Sequence, residues 1–302
     1  MSQTVITREQ IETDAAGFIE REIKDFVANS PANRLEFLDD YKIFDEPLVG
    51  FADGGDALFT EYKEIIGPVH MTPGEALAAA SGKSPDELPE RLSVISWILP
   101  IVRETRRSNS KERTGPSRLW SHTRWYGEKL NEALREHIVK VLTDAGYMAT
   151  APQIAPYFET HSNEKGMYSN WSERHVAYVA GLGTFSLSDG FITEKGIAHR
   201  CGSVITDLVL PAAERTASTP FSNCLFMFGL QCQLCVRRCP AGAITESGHD
   251  KVKCGEYQRG LGYPGSIKNG YDNETSVAGC GLCQTRVPCE DRNPTAKIQS
   301  KR

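Results

Sequence analysis

Apolar and polar positions alternate along the first third of the chain with a mostly helical period. Thr7-Arg-Glu-Gln10 has the spacing of a capping start, and Ile11, Ala15, Phe18, Ile19, Ile23 and Phe26 follow on one helical face. Thr72-Pro-Gly-Glu and Ser84-Pro-Asp-Glu each read as a helix start with proline at the first helical position. Glu128 to Ala145 carries Leu130, Leu134, Ile138, Val141 and Leu142, an amphipathic helix closed by Gly146. Val94 to Val102 is a compact apolar run that predicts a buried strand, and Gly202-Ser-Val-Ile-Thr-Asp-Leu-Val-Leu predicts another. Residues 50–56, the basic stretch Arg103 to Arg118 and the proline- and aromatic-rich stretch Tyr147 to Ser172 are predicted loops. Glu173 onward reads as a short helix running into a glycine-marked turn. From about Phe221 the chain becomes loop-rich, which places a boundary near 211–220 and predicts units of 1–215 and 216–302.

Composition excludes some classes. The chain has 302 residues, 40% of them hydrophobic, with 34 Lys and Arg against 39 Asp and Glu, a net charge of −5. That mild acidity gives no overall attraction to nucleic acid. No apolar run approaches the 18 or so residues of a membrane span, and the start shows no basic region followed by an apolar one; a cytoplasmic location is the expectation.

The cysteines change the picture. There are nine, and eight of them lie between 224 and 289. An odd number, clustered and without an export signal, argues for metal rather than a disulfide framework. Cys232-x-x-Cys235-x-x-x-Cys239-Pro240 is most of a two-cluster ferredoxin run, in which the cysteine before proline crosses to the other cubane. Cys280-x-x-Cys283 is a second set, with Cys254 between. Structural zinc would accept Cys-x-x-Cys pairs but leaves the Cys-Pro unexplained. One site reads as complete: Cys239, Cys254, Cys280 and Cys283. The other keeps Cys232 and Cys235, with Gly229 and Val287 where two further cysteines belong. Cys224 and Cys289 lie close to those vacancies and are candidate displaced ligands; the alternative is a single cluster with a degenerate second site.

Trp171-Ser-Glu-Arg-His-Val-Ala-Tyr-Val-Ala-Gly-Leu-Gly-Thr-Phe-Ser-Leu, then Gly202-Ser-Val-Ile-Thr-Asp, then the double-cluster tail, resembles the epoxyqueuosine reductase and reductive dehalogenase superfamily over residues 160–290. The resemblance implies an α+β chain: a nitroreductase-like α/β corrinoid-binding core followed by a C-terminal two-cluster ferredoxin-like domain. It implies two 4Fe-4S clusters, one on each cysteine set, feeding a base-off cobalamin. Gly181, Leu182, Gly183, Thr184, Gly202 and Ser203 are then the expected cofactor-binding positions. Epoxyqueuosine reductases carry an aspartate shortly before their Glu-Arg pair; this chain has Lys165-Gly-Met-Tyr168-Ser-Asn there. Tyr168 becomes the candidate proton donor, as in reductive dehalogenases, with Lys165 or Arg174 supporting its phenolate. Glu173 and Arg174 are expected as an internal or positioning pair, His175 as a structural histidine, and Cys201 as a thiol outside the clusters.

The function expected is a reductase of an electrophilic substrate, fed by reduced ferredoxin or flavodoxin. The missing aspartate and the acidic balance favour a small molecule over tRNA. An electron carrier with no substrate is the competing reading, but it would not need the first 200 residues.

Overall fold

The computed structural model describes residues 8–259 and 279–299. Thr7, the expected first cap, lies outside them. In chain order the helices are α1 Arg8–Glu12, α2 Ala15–Asn29, α3 Leu58–Ile65, α4 Pro73–Ser81, α5 Arg103–Ser110, α6 Arg118–Asp144, α7 Glu173–Val179, α8 Leu234–Arg238, α9 Lys251–Arg259 and α10 Ala296–Gln299. The strands are β1 Arg34–Leu35, β2 Tyr41–Lys42, β3 Leu48–Asp53, β4 Ser93–Pro100, β5 Ala149–Thr150, β6 Thr160–Asn163, β7 Gly166–Ser169, β8 Gly183–Phe185, β9 Phe191–Thr193, β10 His199–Thr206, β11 Ile244–Thr245 and β12 Gly248–His249.

The main sheet has the order β3-β4-β10-β5, with every pairing antiparallel. Strand β4 is buried along its whole length because it is central and covered on both faces. Its side chains alternate: Ile95, Trp97 and Leu99 join the cluster formed with Ile19 and Ile23 of α2 and Leu130, Leu134 and Ile138 of α6. Val94 points the other way, into a cluster with Ala52, Ile205, Trp171 and Val176 of α7. The result is a mixed α and β layering, with α2 and α6 on one face of an antiparallel sheet and α7 on the other.

Several expectations hold. Thr72 caps α4 in a full capping box with Glu75, and Pro73 opens the helix. The helix expected over 128–145 is present, and Gly146 follows it with φ +85°. It begins ten residues earlier than the apolar spacing shows, at Arg118, where the Ser117 hydroxyl accepts from the Trp120 amide. The first helix is split at Asp14, whose carboxylate accepts from the Gly17 amide and restarts the chain as α2. Ser84-Pro-Asp-Glu yields only a single 3-10 turn, closed by Ser84 on Glu87.

Three loop expectations are corrected. Residues 50–53 belong to β3, and Ala52 is small because α7 and Trp171 pack on it. Arg103 to Ser110 is helix α5, whose buried face consists of Thr105, Arg106 and Asn109. A helix that buries polar side chains carries no apolar period for sequence reading to find. The Tyr147–Ser172 stretch contains β5 and the β6–β7 hairpin, paired Thr160 to Ser169 and Asn163 to Gly166.

The expected boundary at 215 falls in a stretch without regular structure, 209–217. Residues from both sides of it share one apolar cluster: Leu187, Ile192 and Ile197 pack with Cys224, Ile244 and Val287.

Beneath the sheet, His70 and His175 both surround the Tyr62 ring, and His70 also stacks on Trp171. Burial pushes His70 down to about 4 and His175 down to about 3. The unfolded chain, with histidines near 6.5, therefore binds more protons than the folded one between those values, and stability falls as pH drops below about 6.5. Lowering pH from 7 to 5 is expected to remove about 2 kcal/mol through His175. Urea unfolding of wild type and His175→Phe at both pH values checks this. The variant should lose correspondingly less on acidification, and an equal loss in both would refute the assignment.

Candidate functional site

The cysteine-rich segment presents its first thiols from short elements. Phe226, Cys235 and Val236 pack onto Ile192 and Ile197 of the core, which carries α8 and its flanks against the sheet domain. The second set arrives on a single 3-10 turn at Leu282–Gln284, and Leu282 is fully buried. A polar hub fixes this turn. Arg238 of α8 donates through Nε to the carbonyls of Leu282 (3.3 Å) and Thr285 (3.2 Å), and through Nη1 to that of Glu112 (2.8 Å). Asn109 of α5 donates to the Cys280 carbonyl (3.1 Å) and to Thr285 Oγ1 (3.2 Å), and its own oxygen accepts from the Ser117 amide (2.8 Å). Trp120 Nε1 donates to the Gly279 carbonyl at 2.9 Å. These bonds tie both cysteine motifs to the α5–α6 corner.

Electrostatic contact sorts the thiols into two groups. Cys235 is pushed up to about 11 by burial and by Cys224 and Cys232; Cys289 is raised by burial and by Cys224, Cys235 and Cys232. Cys280 is pushed up to about 11 by burial, with Cys254 and Cys239 adding to the rise, and Cys283 rises through burial, Cys280, Cys254, Cys235 and Cys239. These influences run mainly within two sets, Cys224, Cys232, Cys235, Cys289 and Cys239, Cys254, Cys280, Cys283, with Cys235 also acting on Cys283. Cys254 moves the opposite way: burial raises it, but His249 and Gln258 donate to its sulfur and bring it down. The Ala243 amide also donates to Cys239 Sγ, at 3.3 Å. Among the described residues no three His, Cys, Asp or Glu side chains converge closely enough to share one metal ion. Thiols on a cubane each take a different iron, so they stand further apart than around a single ion. In composition each group is the four-thiol donor set that a 4Fe-4S cluster takes.

Beside the second group lies a cavity of about 1390 Å3, walled by α6, the β6–β7 hairpin, β10 and α9. Cys254 is in its wall, as are Glu128, Arg135, Glu173, Arg174, His199 and Cys201. The volume exceeds the roughly 300–1,000 Å3 of ordinary small-molecule sites. Within the wall Arg135, 1% exposed, bridges Glu128 and Glu173 at 3.1 Å each. Glu173 also accepts from Ser203 Oγ at 2.6 Å, and burial nonetheless raises its carboxyl. Asn131 locks α6 to the sheet by accepting from Trp97 Nε1 and donating to the Cys201 carbonyl, both at 2.9 Å. His199 Nε2 lies 2.7 Å from the Phe191 carbonyl, which can only accept, so that nitrogen carries the proton and Nδ1 is bare. The Cys201 thiol, 3.6 Å from Nδ1, is then the donor. Burial pushes His199 down to about 4 and Cys201 up to about 12, so the pair is neutral, S–H to N.

The other expected site residues divide. Arg174 lies in the cavity wall and contacts the Asp189 carbonyl; Glu173 pairs with Arg135 and not with Arg174. Met167 lines the cavity, but Tyr168, its neighbour on β7, faces the opposite side, where it stacks on His161 and covers Gly67. Lys165 is exposed at the hairpin turn, its amide bonded to Asn163. Tyr168 and Lys165 are thus not part of the cavity, and the hairpin register is the reason. Gly181, Leu182, Gly183 and Thr184 line a separate cavity of about 530 Å3 with Lys24 and Arg215. Ser203 is buried, accepting from Trp171 Nε1. At Gly183 a Cβ would meet the Ile192 carbonyl at 2.3 Å, and at Gly202 the Trp97 indole at 2.4 Å, so both glycines serve internal packing. His175 is structural as expected, its Nδ1 2.7 Å from Ser172 Oγ.

Sequence reading missed Arg135 and His199 as wall residues and Asn131 as the side chain that ties α6 to the sheet. The signal was present for Asn131 and Arg135: they lie one position after Leu130 and Leu134, on the buried side of an otherwise apolar helical stripe.

No family model and no curated protein matches this chain. Solved structures do. The chain is similar to a catabolic reductive dehalogenase with a TM-score of 0.50 and 17% identity, over 82% of this chain and 30% of that one. It is also similar to an epoxyqueuosine reductase bound to an epoxyqueuosine-modified tRNA stem loop (TM-score 0.42, 14% identity, 96% of this chain and 70% of that one) and to the epoxyqueuosine reductase of Bacillus subtilis (0.34, 17%, 91% and 70%). The likeness to the dehalogenase is one of fold, and the chain spans less than a third of that protein's length.

Gly281 has φ +62°, and a Cβ there would sit 2.0 Å from the Trp120 ring. Gly281→Ala is expected to lower stability by at least 1–3 kcal/mol and to cost the protein the geometry of Cys280 and Cys283. Urea unfolding and iron content after anaerobic reconstitution check both effects; a variant matching wild type in each would refute the close packing.

Proposed function

We propose that this chain is an iron–sulfur and corrinoid-dependent reductase of an electrophilic substrate. Cys239, Cys254, Cys280 and Cys283 would hold one 4Fe-4S cluster, Cys224, Cys232, Cys235 and Cys289 the other, and the large cavity would receive a base-off cobalamin. When bound, such clusters supply single electrons at low potential and the corrinoid a strongly nucleophilic low-valent metal. The observation that supports the reading is that Cys254, of one four-thiol set, lies in the wall of the large cavity, while the chain segment carrying Cys224, Cys232 and Cys235 also carries the exposed side chains of Met227, Leu230 and Leu234. In this reading an electron donor such as reduced ferredoxin or flavodoxin would dock on that exposed apolar segment, and the substrate would enter the cavity.

The chain's own groups have clear tasks in this reading. The Arg135 bridge, with its two glutamates, and the Asn131 bonds hold α6 rigid against β10. The apolar walls Phe191 and Ile197 limit water. Cys201, hydrogen bonded to His199, is a wall group that keeps its proton at neutral pH, and it takes the donor role that the hairpin register denies Tyr168. Amide and Gln258 donors to Cys239 and Cys254 stabilise thiolate charge on the cavity side. The size of the cavity favours an enzyme over a carrier without substrate.

Iron analysis tests the reading. Anaerobically reconstituted protein is expected to hold about eight iron per chain, falling to about four in Cys232→Ala and in Cys280→Ala, and to shift added cobalamin to its base-off spectrum. Zinc in place of iron would overturn the redox reading. Eight iron without corrinoid uptake would make the protein an electron carrier.

A further inference from the structure

The large cavity differs in charge from the molecule around it. The chain as a whole carries −5, yet among the described residues the wall holds seven arginines and lysines against three glutamates. The three glutamates do not silence this excess. Glu128 is shared between Arg135 and Arg200 (3.1 and 2.9 Å), and Glu173 is taken by Arg135. Among the described residues Arg174 has no carboxylate within ion-pair distance, and it gives one donor to the Asp189 carbonyl. Among the described residues no carboxylate pairs with Arg124, and Lys129 lies over the Trp125 and Tyr126 rings, 5.8 and 5.3 Å from their centroids.

A second observation is independent of the count. Arg135 is 1% exposed and makes two ion pairs through its terminal nitrogens, but its Nε–H has no partner. Leaving a buried charged donor unpaired costs about 1–3 kcal/mol, and unmatched donors of this kind are the exception in folded interiors. A wall with surplus cations and an orphaned guanidinium donor is complementary to an oxyanion.

We propose that the cavity recognises an oxyanion on its occupant, a carboxylate or a phosphate, through Arg174, the free Nε of Arg135 and the field of the rim cations. This deepens the reductase reading by naming the chemistry of the bound molecule, and it rests on the same cavity. Two sources supply such a group: the carboxylate of a small substrate, or the phosphodiester in the nucleotide loop of the corrinoid. A planar guanidinium binds either through paired hydrogen bonds, and a cavity with low-dielectric walls strengthens the attraction.

Equilibrium binding to the reconstituted full chain separates the sources. Benzoate is compared with benzamide, its neutral isostere, and cobalamin with cobinamide, a corrinoid that lacks the nucleotide loop. If the anion belongs to the substrate, benzoate should bind at least about tenfold more tightly than benzamide, the difference of a single charge-assisted bond. If it belongs to the corrinoid, cobalamin should outbind cobinamide by a similar factor. In either case Arg174→Gln and Lys129→Gln should shrink the preference, as should raising salt from 50 to 500 mM, with iron content unchanged as the check that the variants fold. Equal binding within both pairs, or no binding by any of the four, would overturn the proposal. Loss of iron from wild type would instead count against the cluster assignment, since the benzoate preference is read without it.

Discussion

Eight thiols crowded into a poorly solvated region set the terms for the C-terminal third of this molecule. Burial and mutual repulsion raise Cys235, Cys280, Cys283 and Cys289. Nothing in the thiols themselves would bring them together; the surrounding chain has to do it. It does so with an apolar cluster shared across the expected boundary and with Arg238 and Asn109, which hold the two motifs in place through backbone carbonyls. In the proposed reading, iron turns the same crowding from a cost into a set of bonds.

The sheet domain meets a different demand. Its central strand is covered on both faces, which makes β10, beside it, a rigid platform whose first residues, His199 to Cys201, reach the cavity. Helix α6 is the opposite wall. It is held there by polar bonds from Asn131 and Arg135 within an apolar stripe, so the elements that stabilise the fold also shape the cavity. The tight packing of Gly202 against Trp97 belongs to this platform.

Much of this was legible in the residues. The capping box at Thr72, the buried strand and the long amphipathic helix all follow from local patterns, and the cysteine spacing is what the proposed cluster assignment rests on. What was not legible has physical causes. Helix α5 buries Thr105, Arg106 and Asn109, so periodicity in apolar residues is silent there. Tyr168 looked like a site residue by its place in the chain, but a hairpin assigns alternate residues to opposite faces, and Met167 has the inner one. The glycines of the Ala-Gly-Leu-Gly motif mark close packing, and no one-dimensional pattern says which partner is close. The place of Arg135 beside Leu134 marks it as buried, but its bridge to Glu173 became visible only once α6 and α7 were assembled.

The hub at Thr285 bears on how the protein matures. Its bonds run among Arg238, Asn109, backbone carbonyls and a hydroxyl, and no sulfur takes part in them. The turn bearing Cys280 and Cys283 is thereby anchored whatever its sulfurs carry. In the proposed reading, the shape of the cluster receptor is set by nitrogen and oxygen contacts and is separate from the bonds its sulfurs would make to iron.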